Sequence, residues 1–173
     1  MNTFEGKSIT LRPIEIRDLE VVYQWENDAA NWVHTNHLNP FSRFFLEQYI
    51  LHSDNNIYTD KQLRLMIDKK GGQPIGIIDL FDFDPHHKRA AVGIMIDPDH
   101  QNKGYASDAL QVVIGYARDI LGLKQLYCGI GEGNEHSMKL FTREGFRVTG
   151  TRESWRLDGS SYKDEYFLQL IFA

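Results

Sequence analysis

Asp97-Pro98-Asp99-His100-Gln101-Asn102-Lys103-Gly104-Tyr105-Ala106 is the stretch whose reading decides the fold. It follows an apolar run, Ala90 to Ile96, and opens the most periodic segment of the chain. Ala106, Leu110, Val113, Ile114, Ala117 and Leu121 recur in steps of three or four, which predicts a helix that stops at Gly122. The first amides of a helix lack internal partners, and the helix dipole favours an anion there. Gly104 and Ala106 let a bulky group approach the backbone, and Lys103 adds positive charge. These residues fit a phosphate or pyrophosphate cradle. They fit an ordinary strand-to-helix turn with one glycine equally well. A P-loop is excluded, because no Gly-Lys-Ser/Thr end follows.

Working outward, the segment before the loop reads as strands. Leu63, Leu65 and Ile67 alternate, Lys70-Gly71-Gly72-Gln73 marks a turn, and Ile75 to Phe83 returns. Asp84-Pro85-His86-His87 breaks that run before Ala90 to Ile96, so an antiparallel meander is expected. Upstream, Ile9, Leu11 and Ile14 predict a first strand with Arg12 turned away from the apolar side. Asp18 opens a helix through Val21, Val22 and Trp25, Asn31 to Pro40 reads as an irregular loop, and Ser42 to His52 as a second helix. Downstream come a strand from Leu123 to Ile130 and a helix from the N-cap Asn134 to Gly145. A hairpin turning at Asp158-Gly159 then leads into the alternating Tyr166, Leu168, Leu170 and Phe172. Gly129-Ile130-Gly131-Glu132-Gly133 has the wrong spacing for a dinucleotide fingerprint and reads as a flexible bend. The class is α/β with a mixed sheet and a parallel crossover.

Composition narrows the partners. The chain has 173 residues, 42% of them hydrophobic and 25% charged, with a net charge of -5. That fits one domain, residues 1–173, with a core of useful size. No apolar run approaches a membrane span, and no signal-type stretch opens the chain. Cys128 is the only cysteine, so a disulfide framework and a Cys-rich zinc site are excluded and a cytoplasmic setting is the default. A pI near 5.8 argues against general nucleic-acid binding. No metal is expected: His34 and His37, and the adjacent His86 and His87, read as loop histidines.

Gln101-x-x-Gly104-x-Ala106 resembles the acyl-CoA loop of the GNAT acetyltransferases, whose pattern is Gln/Arg-x-x-Gly-x-Gly/Ala. Asn134-x-x-Ser137-x-x-Leu140-Phe141-x-x-x-Gly145-Phe146 resembles that family's second motif, and Leu11-Arg12-Pro13 with Asp18 is also similar. The resemblance runs from about Ile9 to Phe172. It lies nearest the branch holding spermidine acetyltransferases and ribosomal-protein N-terminal acetyltransferases. It implies a single GNAT-like domain: a central, mostly antiparallel mixed sheet with a splayed strand pair and flanking helices. It implies acetyl-CoA as co-substrate and an amine as acceptor, a polyamine or other small amine, attacking the thioester directly in a ternary complex. A protein N-terminus as acceptor and a non-catalytic acyl-CoA-binding module are the alternatives. Relatives often form homo-oligomers, which no feature of this sequence fixes.

The resemblance also implies roles. Free backbone groups at Ile94, Met95 and Ile96 would hold the pantetheine arm, splayed from Leu123 to Ile130. Amides from Gln101, Asn102, Lys103, Gly104, Tyr105, Ala106 and Ser107 would bind the pyrophosphate. Asn134 would bond the arm from the other side, with Ser137, Leu140 and Phe141 along that wall. Two departures stand out. Many relatives place a tyrosine acid where this chain has Phe141, and a glutamate on the fourth strand where it has Ala91. Asp79, with Asp82 and Asp84 nearby in sequence, is the substitute candidate for the base; a solvent-facing strand residue is the plainer reading. Trp25, Trp32, Phe41, Trp155 and Tyr162 are candidate acceptor walls or packing residues. Cys128, in an apolar strand, reads as core. The loop after the first helix carries none of the acidic residues common in polyamine-acetylating relatives.

Overall fold

Alternation decides which side each strand buries, and the buried side decides which helices cover it. The computed structural model of the protein describes residues 3–32 and 37–173. Its strands are β1 (Ile9–Pro13), β2 (Leu63–Lys69), β3 (Gln73–Asp84), β4 (Arg89–Ile96), β5 (Gln125–Gly131), β6 (Arg147–Asp158) and β7 (Ser161–Ile171). Its helices are α1 (Leu19–Glu26), α2 (Ala29–Trp32), α3 (Arg43–His52), α4 (Ile57–Asp60), α5 (Tyr105–Asp119) and α6 (Glu135–Arg143). The strands form one seven-stranded sheet in the order β1-β2-β3-β4-β5-β7-β6. The last hairpin therefore enters with β7, not β6, beside β5.

One set of alternate residues, including Leu65, Ile78, Leu80, Val92, Leu126, Cys128 and Leu168, packs with Ala109, Leu110 and Val113 of α5. The opposite face carries Met66 and Ile77, which pack with Val22 and Trp25 of α1 and Leu46 and Ile50 of α3. Register carries this second face across the sheet. Arg64 pairs with Asp79, and Asp79 with Gly93. Ala91 pairs with Tyr127, Gly129 with Phe167, and Gly131 with Glu165.

The expected splay is present. β4 and β5 are parallel and pair only at Arg89–Gln125, Ala90–Leu126 and Ala91–Tyr127. Beyond that point β4 stays with β3 through Ile96, and β5 stays with β7 through Gly131. Each strand so keeps one edge of backbone donors and acceptors facing the gap.

Arg12 does turn away from the α5 face, but not into solvent. Its guanidinium donates to Asp18 Oδ2 and Oδ1 at 2.7 and 2.8 Å and to Asp68 Oδ2 at 2.6 Å. That cluster fixes the start of α1 to β1 and β2. Ser42 caps α3 by accepting from the Phe45 amide. The irregular loop expected from Asn31 to Pro40 begins inside α2, and its positions 33–36, His34 among them, lie outside the described residues. The glycine cluster is not a flexible bend. Gly129 and Gly131 lie within β5, and only Gly133, at φ 90°, serves a turn. Among the described residues no helix is long and apolar enough to cross a membrane.

Candidate active site

Asp97 leaves β4 and accepts from the Asp99 amide at 3.1 Å, which starts the loop with a tight turn. The Gln101 side chain donates back to the Ile96 carbonyl at 3.0 Å. Asn102 (φ 60°) and Gly104 (φ 84°) take left-handed conformations. Such turns aim successive amides into a concavity suited to an anion, just before α5 begins. Lys103 reaches back to the Asp99 carbonyl at 2.9 Å.

This loop forms one wall of a cleft of about 340 Å³. Of the residues singled out from the sequence, Ile96, Gln101, Asn102, Gly104, Tyr105, Ala106, Ser107 and Leu140 line it. Ile94, Met95 and Lys103 lie outside that lining, the first two on the free edge of β4 at the splay. The facing wall is α6, which contributes His136, Lys139, Leu140 and Arg143. These four lie at positions i, i+3, i+4 and i+7, one helical face, so the basic character that His136, Lys139 and Arg143 give it was legible in the sequence although only Leu140 was singled out. His100 also lines the cleft, and its buried Nδ1 has no hydrogen-bond partner among the described residues. An orphaned nitrogen, converging amides and three basic side chains fit the phosphates of a CoA molecule.

The rest of the second motif supports the wall. Asn134 caps α6 by accepting from the Ser137 amide at 3.2 Å. Phe141 is buried and meets Phe146 edge-on at 5.1 Å, so it contributes packing and no proton. Glu144, just past α6, accepts from Ser107 Oγ and from Gln111 Nε2, tying the start of α5 to the end of α6.

The opposite face of the splay holds two ion clusters. Arg64 donates to Asp79 Oδ1 and Oδ2 at 2.8 and 3.1 Å and to Glu26 at 2.7 Å. Burial opposes the charge on Arg64, but Asp79 and then Glu26 outweigh it and hold the guanidinium cationic well above its ordinary range. Asp79 thus lies on the face of Met66 and Ile77, only partly exposed, with both oxygens accepting from Arg64. Asp84 ends β3 and braces the turn that follows, accepting from the His87 amide and pairing with Arg89. On β7, buried Glu165 accepts from Arg152 at 2.8 Å and Arg156 at 2.5 Å. Neither cluster has a local sequence signal, because its members meet only through strand register and, for Glu26, the packing of α1 on the sheet.

The aromatic candidates divide. Trp25 is core and donates to Asp97 at 3.4 Å. Trp32 donates to the Glu26 carbonyl, and Phe41 stacks on Phe45. Trp155 and Tyr162 are exposed and are not cross-strand partners, since Tyr162 pairs with Leu157. Among the described residues no group of three or more His, Cys, Asp or Glu side chains is placed to hold a metal.

Comparison with known proteins decides the family. The family described as "Acetyltransferase (GNAT) domain" matches residues 8–147.

The chain belongs to the GNAT acetyltransferases.

As a GNAT protein it is an N-acetyltransferase by family. It is 30% identical over 146 residues to the spermidine N(1)-acetyltransferase of Escherichia coli K12, covering 83% of this chain and 75% of that one. It is 25% identical over 151 residues to the Vibrio cholerae enzyme of the same name, covering 84% and 82%. Among solved structures, the V. cholerae spermidine N-acetyltransferase in complex with CoA and spermine superposes with a TM-score of 0.82 at 23% identity, covering 96% of each chain. A dodecameric structure of that enzyme gives 0.79 at 24% identity, covering 96% of this chain and 95% of that one. These likenesses to solved structures establish the shared fold.

Proposed function

We propose that this GNAT domain moves the acetyl group of acetyl-CoA to a small primary amine by direct attack in a ternary complex. The observation that carries the reading is the splay. It opens on the cationic cleft on one side and on a floor with two partly exposed ion clusters on the other. In this reading the loop amides from Gln101 to Ser107, with Lys139, Arg143 and His136, take the phosphates. Ile94, Met95 and Ile96 pair with the pantetheine arm, and Asn134, Ser137, Leu140 and Phe141 form its wall. Acetyl-CoA supplies an activated acyl carbon and a good leaving group, since thiols have pKa values near ~8.5.

The acceptor is the harder half. A free alkylamine with a pKa of ~10.4 is neutral in roughly one molecule in two thousand at pH 7. Two carboxylates on one guanidinium leave the Glu26–Arg64–Asp79 cluster with an anionic surplus that draws an ammonium in. Asp79, acting through a water, takes the proton. The neutral nitrogen then attacks the acyl carbon, the new C–N bond forms, the nitrogen gives its second proton to water, and the C–S bond breaks. A backbone amide on the free edge of β4 faces the charge that develops on the carbonyl oxygen. The sulfur leaves as a thiolate and takes its proton from solvent, because Phe141 offers none. Losing one general acid typically costs ~10²–10⁴ in rate, so turnover is slower than in a tyrosine-bearing relative. Polyamines are one candidate class because relatives are named for them. A cytoplasmic setting fits a chain with a lone, buried thiol.

The replacement by Phe141 also favours a second reading, an acyl-CoA-binding module without turnover. Calorimetry with acetyl-CoA and a CoA-release assay over spermidine, spermine, small amines, free amino acids and short peptides separate the two. Micromolar binding with amine-dependent CoA release is expected. Binding without release would leave the binding module, and no binding would end both. An Asp79→Asn variant is expected to lose ten- to a thousandfold in kcat/KM; full activity would remove Asp79 from the proton path.

A further inference from the structure

The geometry points to an acceptor that is zwitterionic: a primary amine carrying a carboxylate, of the amino-acid type, with the carboxylate docked on Arg152 and Arg156. This rests on the acetyl-transfer reading above and specifies its acceptor.

Register places Asp79 and Glu165 on the same face of the sheet, with β4, the splay and β5 between them. On that face the residues at the mouth of the splay are Ala91 and Gly93 of β4 and Gly129 and Gly131 of β5, with Tyr127 beside Ala91 at the last strand pair and Met95 beyond Gly93 packed toward Met66 and Ile77. The glycines of β5 make room for the cluster above them. A Cβ on Gly129 would lie 2.5 Å from Glu165 Oε1, and one on Gly131 3.2 Å from Arg156 Cδ. The Glu165 cluster therefore lies over β5, at the rim of the splay rather than at the edge of the sheet.

Its charge is opposite to that of the cluster across the gap. Two guanidiniums share one carboxylate and leave a surplus of one positive charge. Arg152 spends one nitrogen, Nη1, and Arg156 one, Nε, on Glu165. Their remaining guanidinium hydrogens meet no acceptor among the described residues. Both side chains are reachable, at 43% and 26% exposure, while Glu165 is at 5%. Arg152 is also held in place: its guanidinium carbon lies 5.2 Å from the ring centres of both Trp155 and Phe167. A bulge between Arg152 and Arg156 sets this arrangement, bringing Ser154 to φ 50°. The two clusters stand three strand spacings apart, or ~14 Å before the splay widens it. That span exceeds the separation of the two charges on one amino acid, so the carboxylate meets the spare guanidinium donors directly while the amine, over the splay, reaches Asp79 through water. A polyamine would place a second cation against Arg152 and Arg156, which costs affinity by like-charge repulsion.

The test compares matched acceptors in the CoA-release assay: phenylalanine against phenethylamine, leucine against isoamylamine, lysine against cadaverine, with spermidine alongside. The amino acids are expected to exceed their decarboxylated partners at least tenfold in kcat/KM. Arg156→Gln is expected to raise KM for the preferred amino acid tenfold or more while changing KM for its decarboxylated partner less than threefold. If Arg156→Gln does not fold, Arg152→Gln, at the more exposed of the two sites, is read in the same way. Equal or better turnover of the decarboxylated amines or of spermidine, or an equal loss on both members of a pair, overturns the inference and leaves acetyl transfer standing. Acetyl-CoA binding with no release by any amine overturns the transfer reading and this inference together.

Discussion

Cys128 shows how much one residue's surroundings decide. It sits on the α5 side of β5 and is buried, and burial, aided by the nearby charge of Glu165, pushes its thiol up to about 12. The thiolate is the reactive form. At pH 8 such a thiol is ionised roughly a thousandfold less than an ordinary one of pKa ~8.5. Native protein is expected to react with iodoacetamide at least that much more slowly than protein in denaturant; comparable rates would place the thiol elsewhere. Phe141 is the opposite case. Its identity was plain in the sequence, and the structure adds only that its ring is sealed against Phe146.

At the scale of elements, the Arg12 cluster joins β1, β2 and α1. Arg12→Leu would leave Asp18 and Asp68 buried without their cation, at 1% and 6% exposure. Breaking such a pair costs ~3–5 kcal/mol, which urea unfolding at pH 7 would register as a much lower midpoint. The acid side of the same cluster has a definite sign. Burial works to raise the pKa of Asp18, but Arg12 and the Glu15 amide outweigh it and hold it below the ordinary value. Its stabilising contribution is therefore complete above ~3.9 and is lost as pH falls through the lower folded value. Asp18→Asn should flatten the fall in stability below pH ~4; an unchanged slope would mean that other carboxylates dominate.

The elements also mark what the sequence could reveal. The helices α3, α5 and α6 were legible because periodicity and caps act within a few residues. The meander was legible because its turns are local. Arg12 with Asp68, Arg64 with Asp79, and Arg152 with Glu165 were not, because each pair exists only once register is set between strands. Gly129 and Gly131 were misread for a related reason. Leu126, Cys128 and Ile130 continue a period of two past them, but glycine on the other face looks like a bend until Glu165 and Arg156 are seen above it.

For the whole molecule, a net charge of -5 coexists with two separate cationic places, the α6 wall and the Arg152–Arg156 pair. The splay links them, and it has a thermodynamic consequence. Residues 92–96 and 128–131 hold strand geometry while one edge of each has no strand partner across the gap among the described residues. A bound pantetheine arm would act as the absent strand between them. Amide hydrogen exchange at these positions should therefore slow markedly when acetyl-CoA is added, while exchange in β1 and β2 changes little. A ligand at a hundred times its Kd adds ~2.7 kcal/mol to folding stability. The sheet would then be completed by the metabolite it consumes, making the protein's resistance to unfolding and proteolysis in a cell track the supply of acetyl groups.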